Sequence, residues 1–243
     1  MTAQRRNVFR MLESLPAVFD LRDMEIFLGL SRKTATQYCW RWSSQEFIRS
    51  AGPKTGVFFN LVRDRNADAH EREAVEKAIR NPVVVIGASA LHEHGWTTQM
   101  SRRTEIAVAV NRENQSFPVV DTVSAVPRSL RWFSAVFPRS KPGAGGYRVA
   151  PPEFALVDAV MWGDRFRSLP KARQEELRAA NRTIWSPDPD DIDVDADPEE
   201  AVSRILAAGE ALGADRERLL GYIEGIDALS DAAAAAAGEG MHP

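Results

Sequence analysis

One stretch of the chain, residues 21–61, constrains the fold more than any other, because two helical patterns meet there across a short turn. Apolar residues recur from Leu21 to Leu28 and predict a short helix. Gly29 follows, and a residue without a Cβ is what a tight turn after a helix requires. Ser31 is suited to cap a second helix, which we expect from about Arg32 to Gln45.

The second of these helices has one apolar and one polar face. Ala35, Cys39 and Trp42 recur at i, i+4 and i+7 and predict a buried stripe, which leaves a face of hydrogen-bond donors outside. Two β-prone runs, 47–48 and 57–59, flank a turn at 52–56 and predict a hairpin. Two helices followed by a basic hairpin are typical of a winged helix-turn-helix, which presents its second helix to the major groove of DNA.

The polar face and the hairpin, or wing, supply the predicted DNA contacts. Arginine and glutamine are suited to bidentate contacts with base edges, and the wing side chains are suited to phosphate oxygens. The predicted helix contacts are Ser31, Arg32, Lys33, Thr34, Thr36, Gln37 and Arg41, and the predicted wing contacts are Arg49, Ser50, Lys54 and Thr55. The alternative is a winged helix that contacts another protein while its charges are merely solvated.

The distribution of charge favours DNA over that alternative. The net charge is -3, yet residues 1–65 carry 11 Lys or Arg against 6 Asp or Glu, and residues 66–187 carry 17 against 13. Residues 188–243 carry 3 against 15. A basic body suits a nucleic-acid partner, and we interpret the acidic end as a solvated segment.

The remaining patterns predict an α+β protein with a mixed second domain. We expect a winged domain over 1–65, a mixed α/β domain over 70–187, an acidic linker with helices over 188–231 and a disordered tail over 232–243. Strands are predicted at 82–86, 104–110 and 119–126, while 131–137 fits a strand or a short helix.

Several classes of protein and site are excluded by what the sequence lacks. Cys39 is the only cysteine, so no intramolecular disulfide or cysteine-rich zinc site is expected. His92 and His94 stand two residues apart and would face apart on a helix, so we expect no metal site there. Without a signal peptide, a membrane span or a catalytic motif, we predict a cytoplasmic protein that is not an enzyme and uses no cofactor.

Several segments together resemble the AbiEi-type antitoxins, the regulators of type IV toxin–antitoxin pairs. The resemblance covers roughly residues 5–195. Its residues are GLSRKTATQY (29–38), GPKTGVFFNLVR (52–63), GASALHEHGWTTQ (87–99), TEIAVAV (104–110), APPEFALVDAV (150–160) and PDPDDID (187–193). It implies a transcriptional autorepressor that binds inverted repeats upstream of its own operon and antagonises a nucleotidyltransferase-like AbiEii toxin, with direct contact between the two left open.

Two alternatives remain at this point. The first is a winged-helix regulator whose C-terminal domain senses a small ligand. The second is a divergent nucleotidyltransferase, because Gly87-Ala-Ser and the later Glu105 faintly resemble the motif of those enzymes. Such enzymes hold Mg²⁺ with two carboxylates at i and i+2, but Ala107 stands at the second position, so a functional metal site is not expected.

Overall fold

A computed structural model of the protein describes residues 3–112 and 117–239. These residues form helices and two β-sheets, which confirms the α+β class. The chain divides into two compact units, the first comprising 1–81 and 116–123 and the second 82–115 and 124–243. The predicted boundary between 65 and 70 is therefore wrong, because helix Glu71–Ile79 packs on strands of the first unit.

The first unit alternates helices with three short strands. The elements are α1 (Ala3–Glu13), β1 (Val18–Asp20), α2 (Leu21–Leu28), α3 (Arg32–Ser44), β2 (Ile48–Ser50), β3 (Val57–Asn60), a 3-10 helix (Ala67–His70) and α4 (Glu71–Ile79). The sheet has the order β1-β3-β2, and both pairings are antiparallel, with Val18 opposite Phe59 and Ile48 opposite Asn60. Strand β1 is not among the predicted strands, because its extended conformation depends on pairing with β3.

Local chemistry sets the ends of α2 and the start of α3. Asp20 and Asp23 form a capping box, in which each carboxylate accepts the other residue's backbone N–H at 2.9 Å. Gly29 ends α2 with a φ of 63°, a conformation that costs glycine little. Ser31 Oγ accepts the Thr34 backbone N–H at 3.3 Å and so caps α3. The turn between the two helices is therefore specified locally.

The core of the first unit surrounds Trp42, whose side chain is fully buried. Ala35, Cys39 and Trp42 all face this core, as their spacing predicts. Burial raises the pKa of the Cys39 thiol to about 12, and its Sγ lies 3.3 Å from Met24 Sδ. Cys39 therefore packs as a small apolar residue. The other buried members of this cluster are Leu12, Leu15, Phe19, Met24 and Ile48.

The second unit contains a five-stranded sheet and seven α-helices among its described residues. The sheet order is β6-β5-β4-β8-β7, with β4 antiparallel to β5 and parallel to β8, and helix α7 packs against both α5 and α9. The elements are β4 (Val83–Val85), α5 (Gly87–Glu93), β5 (Thr104–Val110), β6 (Val123–Ser129), α6 (Leu130–Val136), β7 (Lys141–Pro142), β8 (Arg148–Val149), α7 (Pro152–Ser168), α8 (Lys171–Ala179), α9 (Pro198–Leu212), α10 (Arg216–Ile223) and α11 (Ser230–Glu239), with 3-10 turns at Pro189–Asp191 and Asp227–Leu229.

In the second half, one open alternative is decided and two expectations are corrected. The run at 131–137 fits a strand or a short helix, and its residues 131–136 lie in a helix. The third strand covers Val123–Ser129 rather than 119–126. The acidic segment is not a free linker, because Ile192 and Val194 are buried and the Asp193 N–H donates to the Trp96 carbonyl at 2.9 Å.

The predicted disorder of 232–243 is wrong as far as the structure describes that segment. Residues 232–239 lie in α11, and Ala233 is fully buried; residues 240–243 lie outside the described residues. Alanine has the highest helix propensity, so a run of alanines forms a helix once one face can pack. Within the described ranges, no helix is both long and apolar enough to cross a membrane.

Candidate nucleic-acid interface

The face of α3 opposite the core carries cationic and amide side chains. Arg32, Lys33 and Gln37 are all exposed. The side chains of these three residues make no hydrogen bond or ion pair with any residue in 3–112 or 117–239. The helix contains no acidic residue, so its cations are not neutralised within it. These donors are available to an external partner.

The other predicted contacts on α3 already have roles inside the helix. The Ser31 and Thr34 hydroxyls lie 2.9 Å apart at the helix start, where Ser31 also caps the backbone. Thr36 Oγ1 donates to the Arg32 carbonyl at 2.9 Å. The Arg41 guanidinium lies 5.7 Å from the centroid of the Tyr38 ring, so it is held along the helix surface.

The predicted wing contacts, like those on α3, include side chains without partners and side chains that already have partners within the structure. Lys54 is exposed, has a φ of 61° and makes no ion pair with the described residues. The Ser50 and Thr55 hydroxyls instead donate to the Gly52 carbonyl, at 3.0 and 2.8 Å. Arg49 lies 3.6 Å from the exposed Asp68 carboxylate. Lys54 is therefore the wing residue whose charge is left unpartnered, while Ser50 and Thr55 stabilise the turn.

Sequence reasoning missed an exposed aromatic residue on the same helix. Trp40 is 76% exposed and follows Gln37 by three residues and Thr36 by four, so it continues the polar face of α3. The signal was present in the sequence, because Trp40 lies off the stripe of Ala35, Cys39 and Trp42. An exposed aromatic ring beside cations is suited to stacking on a base or a sugar.

The two histidines of the second unit are held by backbone carbonyls. His92 Nδ1 lies 3.2 Å from the Thr97 carbonyl oxygen, and His94 Nε2 lies 2.9 Å from that of Ala150. Both rings therefore have structural hydrogen-bond partners. Among the described residues, no group of three or more His, Cys, Asp or Glu side chains is placed to hold a metal ion.

Glu105 is also engaged by the backbone of the second unit. Its side chain is buried, and its carboxylate accepts the N–H groups of Ala88 at 2.5 Å and Trp185 at 2.7 Å. Gly87 has a φ of 60°, and a Cβ at that position would collide with the Glu105 carboxylate. The glycine and the glutamate that resemble a nucleotidyltransferase motif thus pack against each other.

Burial raises the pKa of Glu105 to about 7, although its backbone hydrogen bonds act to lower it. An unfolded glutamate ionises near pH 4.5, so between these two values the folded state holds a proton that the unfolded state has lost. The stability of the second unit should therefore fall by about 3 kcal/mol as the pH rises across this interval.

Urea unfolding of the wild type and of Glu105→Gln at pH 4.5, 6 and 7.5 measures this effect. The Gln side chain cannot ionise, so its free energy of unfolding should change less with pH than that of the wild type. Parallel pH profiles for the two proteins would show that Glu105 does not titrate in this range.

The exposed face of α3 and the tip of the wing are thus the regions where predicted site residues remain unpartnered. No protein-family model matches the chain, and no curated protein matches it either. The resemblance to AbiEi-type antitoxins therefore stays a prediction.

Proposed function

We propose that the protein is a sequence-specific DNA-binding repressor whose first unit acts as a winged helix-turn-helix. The order α1-β1-α2-α3-β2-β3, with an antiparallel sheet that ends in a hairpin, supports this proposal. The observation that carries it is the outer face of α3. There Arg32, Lys33 and Gln37 are exposed and unpartnered, while Ala35, Cys39 and Trp42 anchor the opposite face in the core.

Each unpartnered side chain has a chemical counterpart on duplex DNA. Arg32 has the guanidinium fork that pairs with guanine O6 and N7, and Gln37 has the amide that pairs with adenine N6 and N7. Lys33 and Lys54 are point charges suited to phosphate oxygens, whose contacts set the register of the protein without reading sequence. Helix and wing together would therefore supply both base and backbone contacts.

The resemblance to AbiEi-type antitoxins extends the proposal to a physiological role. In that role the protein binds inverted repeats upstream of its own operon and represses it. It also antagonises a nucleotidyltransferase-like AbiEii toxin, and it catalyses no reaction itself. A direct complex with the toxin is not part of the proposal, because antagonism in type IV pairs does not require one.

Arg32→Ala and Gln37→Ala should each weaken binding to the specific operator by about 1–3 kcal/mol, because each removes a bidentate base contact. Lys54→Ala should instead weaken specific and random DNA alike and reduce the salt dependence of binding, because it removes a phosphate contact. Gel shifts or fluorescence anisotropy with the upstream region and with random DNA, at two salt concentrations, measure both effects.

Arg72→Ala is the matched control, because Arg72 is an exposed arginine of the first unit whose guanidinium already pairs with Glu76 at 2.7 Å. It should leave DNA binding unchanged. If Gln37→Ala weakened binding to specific and to random DNA equally, Gln37 would not contact bases. A folded wild-type protein that shifts neither DNA at low salt would refute the proposal.

The antidote role needs its own experiment. The chain is co-expressed with the nucleotidyltransferase-like toxin that the same operon would encode, and growth is measured. We expect the wild type to relieve growth arrest, and an Arg32→Ala/Gln37→Ala variant expressed from an unrelated promoter to relieve it as well. If growth arrest persisted with the wild type, the protein would be at most a DNA-binding regulator and would have no antitoxin activity.

A further inference from the structure

The second unit contains a cavity of about 400 Å³ that the preceding sections do not use. Its walls come from the C-terminal end of β6, from α6, α7 and α8 with the segment that follows α8, and from the C-terminal end of α9. A volume of this size falls within the range of small-molecule sites in proteins. All of its lining residues belong to the second unit, so the cavity is complete without the first.

Arginines dominate the charged part of the lining. Arg128 is the buried one, and it forms a bidentate ion pair with Asp158, with both N–O distances at 2.7 Å. Asp158 also accepts the Trp132 indole N–H at 2.8 Å and is the one acidic residue in the lining. The negative charge of Asp158 therefore already neutralises Arg128. The remaining lining arginines are Arg131, Arg165, Arg173 and Arg182.

Two of these four arginines have no counter-ion among the described residues. The guanidinium groups of Arg131 and Arg165 make no ion pair or hydrogen bond with any residue that the structure describes. Arg173 pairs with Glu176 at 2.5 Å, an exposed contact. Burial lowers the pKa of Arg182, and the positive charge of Arg173 lowers it further. The negative charge of Glu176 raises this pKa, but its effect is the smallest of the three. Arg131 and Arg165 thus line a cavity whose one acidic residue, Asp158, already pairs with Arg128.

The rest of the lining is largely apolar and includes an aromatic side chain. Met161, Leu169, Leu177 and Leu212 contribute aliphatic surface. Trp162 lines the same cavity, and the Arg128 guanidinium lies 4.8 Å from the centroid of its ring. The lining therefore combines cations with apolar and aromatic surface, which suits a molecule that has an anionic end and a flat apolar end.

We propose that this cavity binds a small phosphorylated molecule with a flat heteroaromatic body, which is the chemistry of a nucleoside phosphate. The guanidinium forks of Arg131 and Arg165 match phosphate oxygens in bidentate geometry. The apolar and aromatic walls accommodate the ring. This binding goes beyond the proposed function, since it requires neither DNA nor a toxin.

Calorimetric titration of the full chain tests the proposal with defined probes. These are the four ribonucleoside monophosphates and triphosphates, adenosine, inorganic phosphate and a ten-nucleotide single-stranded RNA. At least one nucleoside phosphate should bind, and adenosine and inorganic phosphate should each bind at least tenfold more weakly, because each satisfies only one part of the cavity. Arg131→Ala and Arg165→Ala should each raise the dissociation constant by about 10- to 100-fold.

Arg216→Ala is the control, because Arg216 lies on α10 outside the lining and should leave the dissociation constant unchanged. Circular dichroism confirms that each variant is folded. Three outcomes would overturn the proposal: no binding of any nucleoside phosphate at millimolar concentration, unchanged affinity in an Arg131→Ala/Arg165→Ala variant, or binding of the RNA alone. Operator binding measured on the same preparation separates this result from the test of the proposed function.

Discussion

Asp158→Ala should lower the free energy of unfolding of the second unit by about 3–5 kcal/mol, because it leaves a buried arginine without its counter-ion. Asp158 and Arg128 are 4% and 9% exposed, and both ion-pair distances are 2.7 Å. The Trp132 indole N–H would lose its acceptor as well. The Arg128 guanidinium, which also lies 4.8 Å from the centroid of the Trp162 ring, would remain in place without a compensating charge.

The double variant Arg128→Met/Asp158→Ala separates the unpaired charge from lost packing. Because it removes both ions, it should be more stable than Asp158→Ala alone. Denaturant unfolding read together with hydrogen exchange of peptides from α6 and α7 assigns the loss to the second unit. A loss below about 1 kcal/mol for Asp158→Ala would mean that water reaches the pair and replaces the carboxylate.

Trp42→Ala should cost the first unit about 3–5 kcal/mol, because it removes the largest fully buried side chain and leaves a cavity at the centre of that core. The Trp42 ring also packs at 5.1 Å from the Tyr38 ring, on the helix that carries the proposed DNA contacts. Operator binding should therefore be lost together with the fold, and hydrogen exchange of α3 should accelerate.

Trp42→Phe distinguishes packing from hydrogen bonding at the same position. The Trp42 indole N–H is buried without an acceptor among the described residues, so replacing it with a ring that lacks the donor removes an unfavourable group. The loss should then be about 1–2 kcal/mol, with operator binding retained. If Phe and Ala were equally destabilising, a phenyl ring would restore no packing at this position, and the loss would not come from an empty cavity.

Helices α2 and α3 and the turn between them were predictable because each depends on residues that are close together in the sequence. The cap at Ser31, the glycine at position 29 and the stripe of Ala35, Cys39 and Trp42 each depend on residues a few positions apart. Strand β1 was missed because its three residues gain their conformation from pairing with β3, about 40 residues later. The helix over Ser230–Glu239 was missed because a run of alanines is typical of a low-complexity, disordered segment. In the structure one face of this run is packed, since Ala233 is fully buried.

The candidate sites differ in the same respect: some of their features follow from local sequence, and others depend on contacts between distant residues. Helical periodicity converts the spacing of residues into direction, so the order of residues in α3 was enough to place the donors on its outer face. The hydrogen bonds from the Ser50 and Thr55 hydroxyls to the Gly52 carbonyl could not be read from residue order, because they depend on how the turn between β2 and β3 folds. The same fold leaves the Lys54 side chain without a partner among the described residues. The cavity arginines stand up to 54 positions apart in the chain, from 128 to 182. No local pattern brings such residues together, because their proximity follows from the packing of whole helices.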